Sequence, residues 1–237
     1  MDPIVLDIAG RAGVSLSTEQ IGKLEEYLNL LLAANERMNL TRITDRAAAE
    51  VQHIGDSLTL LPYLPKGPHA LADVGTGGGV PGIPLAIARP DAQVTLIEST
   101  KKKAVFLRET VAQLGLTNVT VDDRRAEELG KRGKKTRESF DIVAFRAVAT
   151  MIWLVEWGMP LTKKGGKLLA MKGPKGREEL AGVQARTLRF LGGGEPIVHE
   201  ISLPGTDSRI VVQIDKVGHS DKRFPRDPTT AKGQPMK

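Results

Sequence analysis

Hydrophobic positions between residues 17 and 35 recur at helical spacing, with Ile21, Leu24, Leu28, Leu31 and Leu32 on one face. Ser17 followed by Gln20 has the form of a capping box, so a helix is expected to begin there. A second helical stretch is expected over residues 47–61, stopped by Pro62. From Ala70 the pattern changes, and short apolar runs alternate with helical ones. LADVG is followed by PLAIARP, VTLIES by KKAVFLRETVAQLG, VTVDD by RAEELG, FDIVAFR by TMIWLVEWGMPL, and KLLAMKG by REELAGVQARTLRF. Five such strand–helix pairs predict an α/β fold whose parallel sheet is covered on both faces. IVHEISLP and RIVVQIDKV then follow each other with no helix between, which predicts an antiparallel pair at the sheet edge. The expected organisation is a helical extension over residues 1–65 and an α/β domain over 66–218. A basic, proline-containing tail follows over 219–237 and is expected to be flexible.

Composition then narrows the classes. Hydrophobic residues make up 41% of 237, enough for a core and too many for wholesale disorder. The sequence holds no cysteine, which excludes disulfides, thiolate zinc ligands and a cysteine nucleophile, and suits a reducing compartment. The opening MDPIVLDIAG lacks the basic-then-apolar pattern of a secretory signal, and no apolar run approaches the ~20 residues of a membrane span. A soluble, cytoplasmic protein is expected, with no membrane partner. The net charge of +6 is compatible with a polyanionic partner. Aromatic residues are only 4%, which argues against base-stacking platforms and leaves charge and shape to any RNA contact. Four histidines without ligand spacing give no metal site.

The chemistry concentrates in LADVGTGGGVPGIP, residues 71–84. A glycine-rich turn between a strand and a helix lets a ligand lie against bare main chain, and in an α/β sheet this is where ligands bind. Asp73, Gly75, Gly77 and Gly79 form an Asp-x-Gly-x-Gly-x-Gly pattern. An acid beside the first glycine suits an ammonium or a sulfonium better than a pyrophosphate, so S-adenosylmethionine is favoured over a nicotinamide dinucleotide. Glu98 ends the next strand, where a carboxylate can accept from both ribose hydroxyls. For Ala126 and Glu127 two readings stand: a border for the adenine, or a charge favouring the first turn of a helix. Arg146, at the end of FDIVAFR, is read as a cation orienting substrate or cofactor, or as a structural ion-pair partner of Asp73 or Glu127. His53 and Asp56 lie on one side of the second helix and are read as a pair anchoring it to the α/β domain.

These motifs together resemble the RsmG (GidB) family of small-subunit ribosomal RNA guanine-N7 methyltransferases. The stretches that carry the likeness include MNLTRITD, HIGDSLTLLPYL, DVGTGGGVPGIPLAIARPDAQVTLIES, RRAEEL, FDIVAFRAVA, GGKLLAMKGP and FPRDPTTAKGQP. The likeness covers nearly all of the chain beyond the first fifteen residues. It implies a class I S-adenosylmethionine-dependent methyltransferase fold: a Rossmann-like, mostly parallel seven-stranded sheet with an antiparallel edge strand and an N-terminal helical extension. It implies S-adenosylmethionine as cofactor, held at Gly75, Val80, Glu98, Ser99, Thr100, Ala126, Glu127 and Arg146, and 16S ribosomal RNA or the small ribosomal subunit as partner. Phe145 departs from the serine frequent in the family at that place, and Phe224-Pro225-Arg226-Asp227 departs from a denser arginine tail with a tyrosine.

The residues agree with ring-nitrogen methylation. Guanine N7 offers a lone pair and no proton, so no strong base is required. Pyrimidine C5 methylation would need a cysteine nucleophile, and the chain has none. RNA is expected to meet Lys172, Lys175 and Arg177 in MKGPKGR, and Arg209 before the last strand. The basic run KRGKKTR, residues 131–137, is expected to be a mobile, solvated loop. A monomer is expected. An oxidoreductase reading lacks a catalytic Tyr-Lys pair, since both tyrosines, Tyr27 and Tyr63, fall in the extension. A purely RNA-binding module would leave Asp73, the glycines and Glu98 without a purpose.

Overall fold

The computed structural model describes residues 1–227 and 230–231. Three helical segments precede the sheet: α1 (Pro3–Arg11), α2 (Thr18–Met38), and a bent segment of α3 (Arg46–Ala49), a π-helical stretch (Glu50–Gly55) and α4 (Asp56–Leu58). Then follow β1 (His69–Val74), α5 (Gly82–Ala88), β2 (Ala92–Ile97), α6 (Lys101–Gln113), β3 (Val119–Asp122) and α7 (Ala126–Leu129). The second half holds β4 (Phe140–Arg146), α8 (Met151–Gly158), β5 (Thr162–Lys172), α9 (Gly176–Ala181), α10 (Ala185–Phe190), β6 (Ile197–Ile201) and β7 (Arg209–Asp215).

The capping box at Ser17 forms as the sequence predicts: Gln20 N donates to Ser17 Oγ at 3.2 Å and Ser17 N to Gln20 Oε1 at 2.9 Å. The same Gln20 amide donates from Nε2 to Ile87 O at 2.7 Å. One side chain thus satisfies the start of α2 and a carbonyl near the end of α5, joining the extension to the sheet layer.

The sheet order is β3-β2-β1-β4-β5-β7-β6. The first five strands are parallel, and the chain crosses sides between β1 and β4, the switch point where α/β sheets open a crevice. The expected antiparallel pair sits at the far edge. Its reversed strand is β7, paired antiparallel to both β5 and β6.

Two apolar layers cover the sheet. Leu24, Leu28 and Leu31 of α2 share one buried cluster with Ile54, Leu58, Ile83, Leu96 and Leu107. The extension therefore has no core of its own and completes the layer over α5 and α6. Met151, Leu154 and Val155 of α8 fill the other face with Phe145 and Leu188. Phe145 is wholly buried, so the departure at that position is a packing change.

Several expectations are corrected. Helix α1 lies before the first helix the periodicity predicts; Asp2 caps it by accepting from Ile4 N at 2.8 Å, with Pro3 in the first turn. The stretch expected as one helix over 47–61 contains the π-helical turn and ends before Pro62, which sits in a 3-10 turn, Leu61–Tyr63. REELAGVQARTLRF is two helices, parted at residues 182–184. Residues 131–135 of the basic loop are exposed, as expected, but its last residue, Arg137, ties down the segment expected to be a flexible tail. Arg137 donates to Phe224 O at 2.6 Å and Ser220 O at 2.8 Å, and Phe224 is buried. Residues 228–229 and 232–237 of that tail lie outside the described residues.

Helix α2 also reaches the glycine loop. Tyr27 is fully buried and its hydroxyl donates to Gly78 O at 2.9 Å. Tyr27→Phe strands that buried carbonyl and is expected to cost about 1–3 kcal/mol, read as a lower urea midpoint with an unchanged slope.

Candidate active site

The loop after β1 is shaped by two buried carboxylates. Asp73 Oδ2 accepts from Thr76 Oγ1 at 2.5 Å and from Gly82 N at 2.7 Å, tying the start of the loop to the start of α5. Glu98 Oε2 accepts from Gly77 N at 3.1 Å, and its Oε1 accepts from Thr100 N at 2.7 Å. Gly75 and Gly77 have φ of 70° and 59°, which side chains rarely adopt. A Cβ on Gly75 would fall 2.7 Å from Val148.

Beside this loop lies a cleft of about 470 Å³, within the range of small-molecule sites. Gly75 and Glu98 form one wall with Ser99; Ala126 and Glu127 with Arg124 and Arg125 form a second. Val148, Ala149, Trp153 and Trp157 close the third side. Glu127 is buried and has no hydrogen bond or ion pair among the described residues, so its carboxylate is available to a ligand. These walls suit a nucleoside donor: bare main chain, a carboxylate at the second strand end, an acid beside an apolar floor, and two tryptophans whose rings stack at 5.8 Å.

The other expected cofactor residues lie elsewhere. Asp73 is fully buried beneath the loop and supports it from inside. Its Oδ1 has no hydrogen-bond partner, and burial pushes the carboxyl up to about 6. Gly79 is corrected to a packing glycine, because a Cβ there would fall 2.5 Å from Ile83 and 3.2 Å from the Tyr27 hydroxyl. Val80 packs against the core, and Thr100 contributes its main-chain N–H to Glu98.

Arg146 is corrected as well. Its Nε donates to Asp56 Oδ2 at 2.9 Å and its Nη2 to Gln52 O at 2.6 Å, so its ion-pair partner is neither Asp73 nor Glu127. Arg209 Nη1 lies 3.5 Å from the same Asp56 oxygen, and its buried Nε has no acceptor. His53 Nδ1 sits 3.3 Å from Arg146 Nη1. A guanidinium only donates, so Nδ1 accepts and Nε2–H donates to Thr41 Oγ1 at 2.9 Å. Burial, with Arg146 and Arg209 adding to it, pushes His53 down to about 3, so it is neutral at pH 7. Asp56 and His53 do anchor the extension to the α/β domain, through arginines of β4 and β7 rather than through each other.

Among the expected RNA contacts, Lys172 is corrected: its ammonium donates to Ala149 O at 2.8 Å and pairs with Glu179 at 2.5 Å, leaving it nearly buried. Lys175 is exposed, and the exposed Arg177 pairs with Glu200. Among the described residues, no group of three or more His, Asp or Glu is placed to hold a metal, and no helix is long and apolar enough to cross a membrane.

With this geometry in hand, comparison with known proteins assigns the family. Residues 20–198 match the family described as GidB, rRNA small subunit methyltransferase G. The chain belongs to this family. It is 44% identical to a Ribosomal RNA small subunit methyltransferase G of Sorangium cellulosum, over 90% of this chain and 87% of that protein. It is 40% identical to the one of Moorella thermoacetica, over 99% and 98%. Among solved structures, M. jannaschii TYW2 in complex with AdoMet superposes with a TM-score of 0.50 at 16% identity, covering 73% of this chain and 77% of that one. A precorrin-6y methyltransferase from Geobacter metallireducens gives 0.50 at 14%, covering 73% and 90%. These two likenesses show the methyltransferase fold.

For this GidB-family chain, sequence reasoning missed Trp153, Trp157, Val148 and Arg124. The tryptophans carried a signal: they stand four apart after the fourth strand, on one face of a helix that opens at the crevice.

The raised Asp73 carboxyl has a signed consequence. Its proton is held more tightly folded than unfolded, so its contribution is fully present below about pH 3.8 and is lost as pH rises through about 6. The stability of the wild type relative to Asp73→Asn should therefore fall between about pH 4 and 6 and level off above, as followed by urea midpoints across that range.

Proposed function

We propose that this protein transfers a methyl group from S-adenosylmethionine to N7 of a guanine in 16S ribosomal RNA, acting as a cytoplasmic monomer. The observation that carries the reading is the cleft between Gly75, Glu98 and Glu127 at the carboxyl ends of the first three strands, in a chain of the small-subunit methyltransferase family. When bound, the cofactor supplies a methyl group activated by an adjacent sulfonium charge.

The protein's share is binding and orientation. Each Glu98 oxygen spends one lone pair on a loop or helix N–H and keeps another for a ribose hydroxyl. That arrangement couples loop shape to ligand binding. Glu127 faces the cleft with acceptors to spare, a fit for the amine of an adenine. The apolar side formed by Val148 and the tryptophans excludes water from the donor. Guanine N7 has no proton to lose, so the absence of a free histidine from the cleft walls is no obstacle, and orientation supplies most of the acceleration.

On the substrate side, Arg209 supports an RNA-phosphate role: it is partly exposed, and it shares its one carboxylate with Arg146. Arg146 is read as positioning, since Asp56 and Gln52 already occupy its donors. Exposed Lys175 and Arg177 extend the basic side for phosphate contact, which makes RNA binding steeply salt-dependent.

The direct test incubates the protein with labelled S-adenosylmethionine and small-subunit RNA or particles from cells lacking the activity. Label on guanine N7 in 16S RNA is expected; none in either substrate form at any salt concentration would sink the reading. Glu98→Ala should weaken adenosylhomocysteine binding about tenfold or more, because two charge-assisted hydrogen bonds, one to the loop and one to Thr100, are lost together with the ribose acceptor. Calorimetry reads that change.

A further inference from the structure

The C-terminal strap is joined to the cleft by a continuous set of contacts that the proposed chemistry does not itself require. Helix α8 faces the cleft with Trp153 and Trp157, and between them it carries Glu156, whose carboxylate is almost wholly buried. That carboxylate is taken by Arg226: Nε donates to Oε1 at 2.8 Å, Nη2 to Oε2 at 2.6 Å, and the Arg226 main-chain N also to Oε1 at 3.1 Å. A two-pronged guanidinium–carboxylate pair fixes direction as well as distance. The next residue carries the fixation onward. Asp227 Oδ1 accepts from Thr230 N at 3.0 Å, and Asp227 O accepts from Ala231 N at 2.9 Å. Ala231 is buried and forms part of the wall of the same cleft as Trp157.

The strap is also held further back. Arg137 donates to Gly130 O and to Phe224 O, each at 2.6 Å, and to Ser220 O at 2.8 Å. Gly130 ends α7, whose Ala126 and Glu127 form the second wall, and it abuts Pro225, which a Cβ there would approach to 3.2 Å. Both helices that bound the cleft away from the glycine loop are therefore tied to residues 220–227, and through Asp227 to Thr230 and Ala231. A solvated tail would spend no buried carboxylate on such an attachment, since an ion pair out of water survives only with near-ideal partners.

We infer that the C-terminal strap is part of the methyl-donor site, with Arg226 as a positioning residue that, through Glu156 and Asp227, sets Ala231 and the tryptophan wall for the cofactor. The inference rests on the reading of the cleft as the S-adenosylmethionine site. It assigns the strap to the donor rather than to RNA, although the strap is basic. Donor affinity measured without RNA is the property it governs.

The test is calorimetry of the full chain with adenosylhomocysteine and no RNA, alongside melting temperatures and steady-state kinetics. Arg226→Ala should raise the dissociation constant and the cofactor KM about tenfold, leaving kcat at saturating cofactor nearly unchanged. Arg226→Lys, which keeps the charge against Glu156, should recover part of the loss. Removing one partner of a buried pair can unfold a protein, so Ala231→Trp provides a second arm. Its bulk enters the cleft from the strap side and keeps both members of the ion pair, and it should weaken adenosylhomocysteine at least as much at a temperature where its melting curve shows it folded. Wild-type affinity in Ala231→Trp, or a fall in kcat alone in Arg226→Ala, overturns the inference while leaving the donor site intact. A wild type that binds no adenosylhomocysteine removes the donor site itself, and this inference with it.

Discussion

A main-chain loop rich in glycine has few side chains to hold its shape, and here two buried carboxylates supply most of the restraint. Asp73 ties the beginning of the loop to the first turn of α5 from below, and Glu98 ties its middle to Thr100, the residue that precedes α6, from the side. Both acids sit at or near strand ends, so the sheet register fixes them: β1 and β2 pair in parallel with Asp73 opposite Leu96, and the ladder closes on Val74 opposite Ile97, the residue before Glu98. If either carboxylate moved, the N–H groups of Gly77 or Gly82 would lose their acceptor. The cleft wall is thus set by strand pairing and not by the loop's own preferences.

The N-terminal helices contribute to the same restraint. Tyr27 holds the Gly78 carbonyl, and Leu31 occupies the space a Cβ on Gly78 would need. On the other side of the switch point, the π-helical turn carries His53 and leads directly into Asp56 at the start of α4, and both face arginines that end β4 and begin β7. π-turns are uncommon and recur at functional sites. Here the residue that follows the turn, Asp56, sets one carboxylate between two guanidiniums and leaves a net positive charge at the carboxyl edge of the sheet. The extension is therefore a working part of the active face: it braces the donor loop with one helix and neutralises part of the substrate-side charge with another.

Much of this was legible in the sequence. Apolar runs located all seven strands: the central parallel strands are buried on both faces, nearly continuously apolar and followed at once by a helix, while the edge strands β3 and β6 mix apolar with polar positions. The glycines, Glu98, Ala126 and Glu127 were legible because a bare turn and strand-end acids have few other uses. What the pattern could not give was direction. Asp73 is a chemically apt partner for a sulfonium, yet Thr76 and Gly82 turn it inward. Arg146 and Lys172 look like free cations at strand ends until Asp56 and Glu179, distant in sequence, take them up. Gly79 and Gly82 look alike with Gly77, and only the tertiary neighbours Ile83, Tyr27 and Leu96 separate packing glycines from cradle glycines. The strap has the sequence of a flexible tail because proline and charge resist periodicity, whereas its order comes from single long-range contacts at Arg137 and Glu156.

The central claim is that carboxylate-held main chain forms the donor cradle. A crystal structure of the protein with adenosylhomocysteine tests it most directly. The account predicts the ligand along Gly75–Gly77, its ribose hydroxyls bonded to Glu98 while Glu98 still accepts from Gly77 N. A ligand seated away from that loop, or a Glu98 carboxylate turned out of the cleft, would contradict it.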